Sequence, residues 1–160
     1  MSLFSQEHIH LLRNLLEFNV KFLLIGGHAA IYYGVNRNTG DLAILIEPTQ
    51  ENGRKLLNAL VSVGLEVPTI DLKEFEAELV LTFGLPPDAV DILNFTRGIE
   101  FQPAFENAQK IDFLGLTIPV ISIHDLIKNK ENLNREGEKS LLDQYDAEVL
   151  KKILKRKQMD

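Results

Sequence analysis

Two acids, Asp41 and Asp91, lie beside apolar runs in "GDLAILIE" and "AVDILNF". A carboxylate among apolar neighbours is costly unless it is paired, hydrogen-bonded or bound to a cation. On adjacent strands the two would form an oxygen-rich site suited to Mg²⁺, which takes one or two carboxylates and leaves room for substrate phosphates. The plainer alternative has Asp41 capping a turn and Asp91 at a strand edge facing solvent. The pattern alone leaves both open. Gly26 and Gly27 follow the apolar run "KFLLI" and precede "HAAIYYG". Their amides would stand at a helix N-terminus, a setting that favours phosphate. The spacing is neither the dinucleotide fingerprint nor a P-loop, because no GxGxxG and no GK[ST] is present.

The elements that must position these residues can be read from periodicity and punctuation. Ser5 caps a first helix running to about Asn19, with Ile9, Leu12, Leu15 and Leu16 as its apolar stripe. "KFLLI" is a buried strand, and "HAAIYY" a short helix closed by Gly34. "DLAILIE" reads as a central strand covered on both faces, stopped by Pro48. Thr49 caps a helix that ends at Gly64, within which Gly53 counts as a mild cost. "AELVLTFG" and "AVDILNF" form an antiparallel hairpin through the rigid turn "LPPD". "FQPAFENA" is a short helix or turn, and "KIDFLGLTIPVIS" a further hairpin about Gly115. Ser122 and Asp125 resemble a capping box ahead of helices over 123–134 and 138–157. These elements predict an α/β fold, a mixed sheet flanked by helices, in one domain spanning 1–160 with a core at 20–120 and C-terminal helices at 122–157.

With 45% hydrophobic and 25% charged residues among 160, the chain has the composition of a globular protein able to bury a core. The absence of cysteine excludes disulfides, thiolate metal sites and a cysteine nucleophile. A formal charge of −6 argues against non-specific adhesion to nucleic acid. The basic run "KKILKRK", Lys151 to Lys157, reads as the solvated end of a last helix or as a contact for RNA or a phosphate-bearing partner. No apolar run reaches the roughly 18 residues of a membrane span, and no signal-like N-terminus is evident. A cytoplasmic location is therefore expected, with no membrane partner.

"LLIGGHAAIYYGVNRNTGDLAILI" resembles the signature of the DNA polymerase β-type nucleotidyltransferase superfamily. That signature is an apolar strand, a Gly-Gly or Gly-Ser pair, a spacer, then Asp-apolar-Asp-apolar, with a third acid on a later strand. Here the spacer runs from His28 to Gly40, and Asp91 in "AVDIL" stands where the third acid belongs. "R-x-T-x-D" (Arg37, Thr39, Asp41), "FGLPPDAVDIL" and "IPVISIHDLIKNK" are similar to minimal bacterial nucleotidyltransferases related to the AbiEii-type toxins. The resemblance spans roughly residues 20–150. It implies a nucleotidyltransferase (polymerase β palm-like) fold and transfer of a nucleoside monophosphate from a triphosphate, ATP or CTP, to a hydroxyl on RNA such as tRNA, on a protein or on a small molecule. It implies that Gly26 and Gly27 cradle the triphosphate, that Arg37 and Thr39 line the nucleotide pocket, and that Lys130 reaches the phosphates. Asp41 and Asp91 would hold Mg²⁺ or Mn²⁺, Asp91 also helping to activate the incoming hydroxyl. A toxin–antitoxin or phage-defence role is suggested by the family only. The residues themselves also admit Arg37 pairing with a surface acid and Lys130 as a solvated helix residue.

The chain departs from the family pattern at two places. Ala43 occupies the position of the second metal-binding acid and supplies no oxygen. An engineered change and a natural degenerate copy, a pseudoenzyme that binds nucleotide or a partner without transfer, both fit. Glu47 is a poor substitute, since it lies about 13 Å along an extended strand from Ala43. Relatives also carry a compact Gly-Arg-x-Lys-Asp turn, where this chain has the longer "NREGEKSLLD". Arg135 and Lys139 are the nearest candidates there, and no phosphate contact is assigned to them. His28 is either a ribose or phosphate contact or an ordinary helix-start histidine, and Tyr32 and Tyr33 read as packing. His8, His10 and His124 show no metal-ligand spacing with an acid. Oligomeric state is not legible.

Overall fold

A computed structural model describes residues 3–159. Helix α1 (Gln6–Glu17) starts at Ser5, whose hydroxyl accepts from the His8 amide, and buries Leu11, Leu12 and Leu15. Strand β1 (Phe22–Ile25) is buried throughout and runs into α2 (Gly26–Tyr33), which Gly34 closes in the left-handed conformation. Strand β2 (Asp41–Ile46) is followed by α3 (Gln50–Ser62), capped by Thr49. Strands β3 (Val80–Phe83) and β4 (Ala89–Leu93) make the hairpin expected around Pro86 and Pro87. Helix α4 (Phe101–Glu106) leads to the hairpin of β5 (Gln109–Phe113) and β6 (Leu116–Val120). Helix α5 (Ile123–Asn132) begins at Ser122, which accepts from the Asp125 amide, and α6 (Glu138–Met159) ends the chain.

The six strands form one sheet in the order β3-β4-β2-β1-β6-β5. It is mixed: β1 runs antiparallel to β2, while β2 pairs parallel with β4 and β1 parallel with β6. The continuous apolar run after Asp41 has the expected cause, since Leu42, Ile44, Leu45 and Ile46 of this central strand are all buried. Helices α1 and α3 pack on one another, and α2, α5 and α6 form a second group. Tyr33 ties this second group together. Its hydroxyl donates to the Ile121 carbonyl at 2.6 Å, and the Lys157 ammonium stands 5.7 Å over its ring. Lys151 pairs with Glu131 at 2.6 Å, so two cations of the basic tail already have partners within the fold. Among the described residues no helix is long and apolar enough to cross a membrane.

One element escaped the sequence reading. Leu72–Glu76 forms a short 3₁₀ turn, started by Asp71 and Glu74 in a reciprocal capping box. It exists to bury Phe75, whose ring lies against Gly53 of α3. Gly53 is therefore a requirement of packing, and its reading as a mild helical cost is corrected: a Cβ there would overlap the Phe75 ring. Asn94, just past β4, pins the segment by accepting from the Leu79 amide at 2.7 Å and donating to the carbonyls of Phe75 and Ala77. Substituting Gly53→Ala gains at most about 1 kcal/mol of helix propensity but overpacks a closed site, which costs about 1–3 kcal/mol. A net loss of stability is expected in urea unfolding. A net gain would show that the ring swings aside freely.

Candidate active site

Strand register brings the two acids together. In the parallel pair, Asp41 stands opposite Ala89 and Ala43 opposite Asp91. Residues two apart on a strand share a face, so Asp41, Ala43 and Asp91 form one patch at the floor of a cleft of about 590 Å³. The pKa of Asp91 is pushed up to about 7 by burial first, then by the adjacent Asp41 carboxyl; Lys139 and Arg135 pull the other way. Of the two readings open in the sequence, the crowded pair prevails over the solvent-facing edge.

This crowding has a consequence for stability. The folded protein holds a proton on Asp91 up to about pH 7 that the unfolded chain releases near its ordinary value of 3.8. Stability attributable to this group is therefore greatest below pH 3.8, falls as pH rises between 3.8 and 7, and stays low above 7. Asp91→Asn should raise the urea midpoint at pH 8, and the gain should shrink as pH is lowered towards 4. An equal gain at both ends would show that ionisation of Asp91 is not the cause.

The glycine pair borders the same cleft. Gly26 has φ +69°, and a Cβ on it would stand 3.0 Å from the Ala43 Cβ. Both the backbone and the space there call for glycine. A Cβ on Gly27 would meet Thr39 Oγ1 at 2.6 Å and Arg37 Nη2 at 3.0 Å. The glycine turn, Ala43, Thr39 and Arg37 thus converge, with Thr39 Oγ1 donating to the Asp41 carbonyl at 3.4 Å.

A cationic wall completes the cleft. Arg37 donates from Nε and Nη2 to the two oxygens of Asp146, each at 2.8 Å. Lys130 Nζ lies 3.0 Å from Asp146 and 3.4 Å from Asp143, and Arg135 grips Asp143 with Nε and Nη2. Three cations thus share two carboxylates, and Lys139 adds a fourth cation to the lining. Burial, the largest influence on Asp146, would raise its pKa. The Arg37 hydrogen bonds and the Lys130 charge outweigh it and hold this carboxyl below the usual range. The partner of Arg37 is a buried acid in place of a surface one, and Lys130 is buried, which overturns its reading as a solvated helix residue. Asp143 and Asp146 were missed by the sequence reading. Their i, i+3 spacing in "DQYD" was the available signal, because it puts both on one face of the last helix.

His28 is buried and faces away from any ribose or phosphate role. Its Nδ1 donates to the Asp41 carbonyl at 3.1 Å, and burial, then the nearby His8, lowers its pKa to about 4. His8 does the same one strand over, its Nε2 donating to the Ala89 carbonyl at 3.2 Å. The two rings thus hold the carbonyls of register partners, Asp41 and Ala89, from behind the acids. Glu47 is occupied beyond the far end of β2 by Lys21 and Thr49.

The donor set of Asp41 and Asp91 consists of carboxylate oxygens, placed together where a cation would relieve their repulsion. It fits Mg²⁺, which needs few carboxylates when substrate phosphates supply the remaining oxygens. Among the described residues no group of three or more His, Cys, Asp or Glu side chains is placed to hold a metal.

The six-stranded mixed sheet flanked by helices is the nucleotidyltransferase fold expected from the sequence. Among solved structures the chain is similar to the lincosamide antibiotic adenylyltransferase LnuA in its lincomycin-bound form, with a TM-score of 0.58 and 18% identity over 94% of this chain and 98% of that one. At that identity the likeness speaks for the fold. No family model matches the chain, and no curated protein matches it.

Proposed function

We propose that this chain binds a Mg²⁺–nucleoside triphosphate in the cleft and that its fold serves transfer of a nucleoside monophosphate to a hydroxyl acceptor. The observation that carries the reading is the strand register that sets Asp41 and Asp91 side by side in a cleft also lined by Gly26, Gly27, Arg37 and Lys130. Asp41 and Asp91 hold the cation, which when bound neutralises phosphate charge and polarises the reacting oxygens. Gly26 and Gly27 let Ala43, Thr39 and Arg37 close against the start of α2, whose backbone amides would meet the triphosphate. Lys130, locked by Asp143 and Asp146, adds fixed positive charge near the departing pyrophosphate. The acceptor oxygen bonds to the α-phosphorus, the bond from that phosphorus to the oxygen bridging the β-phosphorus breaks, and pyrophosphate leaves. Asp91 takes the hydroxyl proton as a general base. An adenylyltransferase of this fold favours ATP over CTP, and "R-x-T-x-D" favours the AbiEii-like branch of the superfamily.

Ala43 supports a second reading, a pseudoenzyme that binds nucleotide or a partner without transfer. Calorimetric titration of the chain with ATP, with and without Mg²⁺, tests the common ground of both. Binding that requires Mg²⁺ and is lost in Asp41→Asn is expected. Absence of binding under both conditions, or an unchanged affinity in Asp41→Asn, would end the metal-site reading.

A further inference from the structure

Resting on the reading just given, we infer that the far half of the cleft is an acceptor subsite for an uncharged, ring-bearing small-molecule alcohol. Its wall is Val80, Leu93, Phe95, Leu133 and Leu142, and these residues set acceptor choice. The strand register makes this wall continuous with the acids. Leu93 follows Asp91 by two residues on β4 and so shares its face, and Val80 of β3 stands directly opposite Leu93. A group seated on Leu93 and Val80 therefore lies about two residues' rise, roughly 7 Å, from Asp91. That distance places a ring on the wall and its hydroxyl at the acid pair.

Leu93 is packed against the core, while its neighbours in the wall present apolar surface to the cleft. Val80 is 47% exposed, Leu142 41% and Phe95 37%, although all three line a concave site. Grouped apolar exposure in a cleft marks a binding surface. Charge selects the occupant's class. Three of the lining cations, Arg37, Lys130 and Arg135, are engaged by Asp143 and Asp146. A polyanionic acceptor such as RNA would find Arg97 and Lys139 outside those ion pairs, matched in number by Asp41 and Asp91, in a chain of net charge −6.

The test uses the full chain with methyl-labelled Leu and Val and 2-naphthylmethanol as a neutral aryl-alcohol probe, followed by NMR in the presence and absence of Mg²⁺–ATP. Expected are shifts at the methyls of Val80, Leu93, Leu133 and Leu142, retained when Mg²⁺–ATP is added. Phe95→Ala and Val80→Asn, both at exposed positions and both neutral, should each weaken the probe about tenfold and change Mg²⁺–ATP affinity less than about twofold. Shifts elsewhere only, or unchanged affinity in both variants, overturn the proposal. Displacement of the probe by Mg²⁺–ATP also overturns it and reassigns the wall to the nucleobase. If the probe seats here but Mg²⁺–ATP does not bind at all, the transfer reading fails separately, while the ligand class of the wall stands.

Discussion

Asp146→Ala should destabilise the protein by about 3–5 kcal/mol, the cost of removing one partner from a buried ion pair. The side chain of Asp146 is fully buried, and that of Lys130, 3.0 Å away, is 2% exposed. Without Asp146, Lys130 keeps only the longer contact to Asp143, which Arg135 already occupies, and the Arg37 fork loses both acceptors. Against a total stability of about 5–15 kcal/mol for ordinary domains, such a loss is close to unfolding. Urea denaturation measures it, with Lys151→Ala as the contrast. The Lys151–Glu131 pair is half exposed on both sides, and breaking such a pair costs about 0–1 kcal/mol. Acid should mimic the loss only late. The Asp146 carboxyl titrates below its ordinary 3.8 in the folded protein, so its contribution is complete above that value and disappears as pH falls through the lower one. A loss under about 1 kcal/mol in Asp146→Ala would mean that water or rearrangement replaces this acid.

Ala43→Asp should raise Mg²⁺-dependent nucleotide transfer by about a hundredfold or more, since several kcal/mol of transition-state charge stabilisation depend on a well-held cation. The position allows the change. Ala43 lines the cleft, but its Cβ abuts Gly26, so the new carboxylate must turn towards Asp91. Without the cation, a third acid beside two crowded carboxyls lowers stability, and Mg²⁺ should restore it. Thermal melts with and without Mg²⁺ and release of pyrophosphate from ATP read these two effects independently. A variant that melts at the same temperature in both conditions and releases no pyrophosphate would favour the pseudoenzyme reading.

The elements were legible where local physics decides them. Ser5, Thr49 and Ser122 cap the helices they appeared to cap, and the apolar run after Asp41 is the buried centre of the sheet. The acids could be singled out, because a carboxylate in an apolar run demands an explanation. What escaped depends on contacts distant in sequence. Gly53 looked like a defect until Phe75, brought by a 3₁₀ turn with no periodic pattern, was seen to fill its space. Asp143 and Asp146 drew no reading from the sequence, and only the meeting of α5, α6 and Arg37 makes them the counter-charges of the cleft. Local spacing cannot report such meetings.

The route between the acid strands carries one more implication. Strands β2 and β4 are neighbours in the sheet, yet residues 47–88, including α3, the Phe75 turn and β3, separate them along the chain. Contacts across so long a loop form slowly, because closure entropy must be overcome before they gain anything. Folding therefore reaches the repulsion between Asp41 and Asp91 late, after the packing of Phe75 on Gly53 has shortened the loop. Relieving that repulsion, as Asp91→Asn does, should then slow unfolding and leave the folding rate nearly unchanged. In kinetic terms, the chain commits to its fold before it encounters the cost of its site.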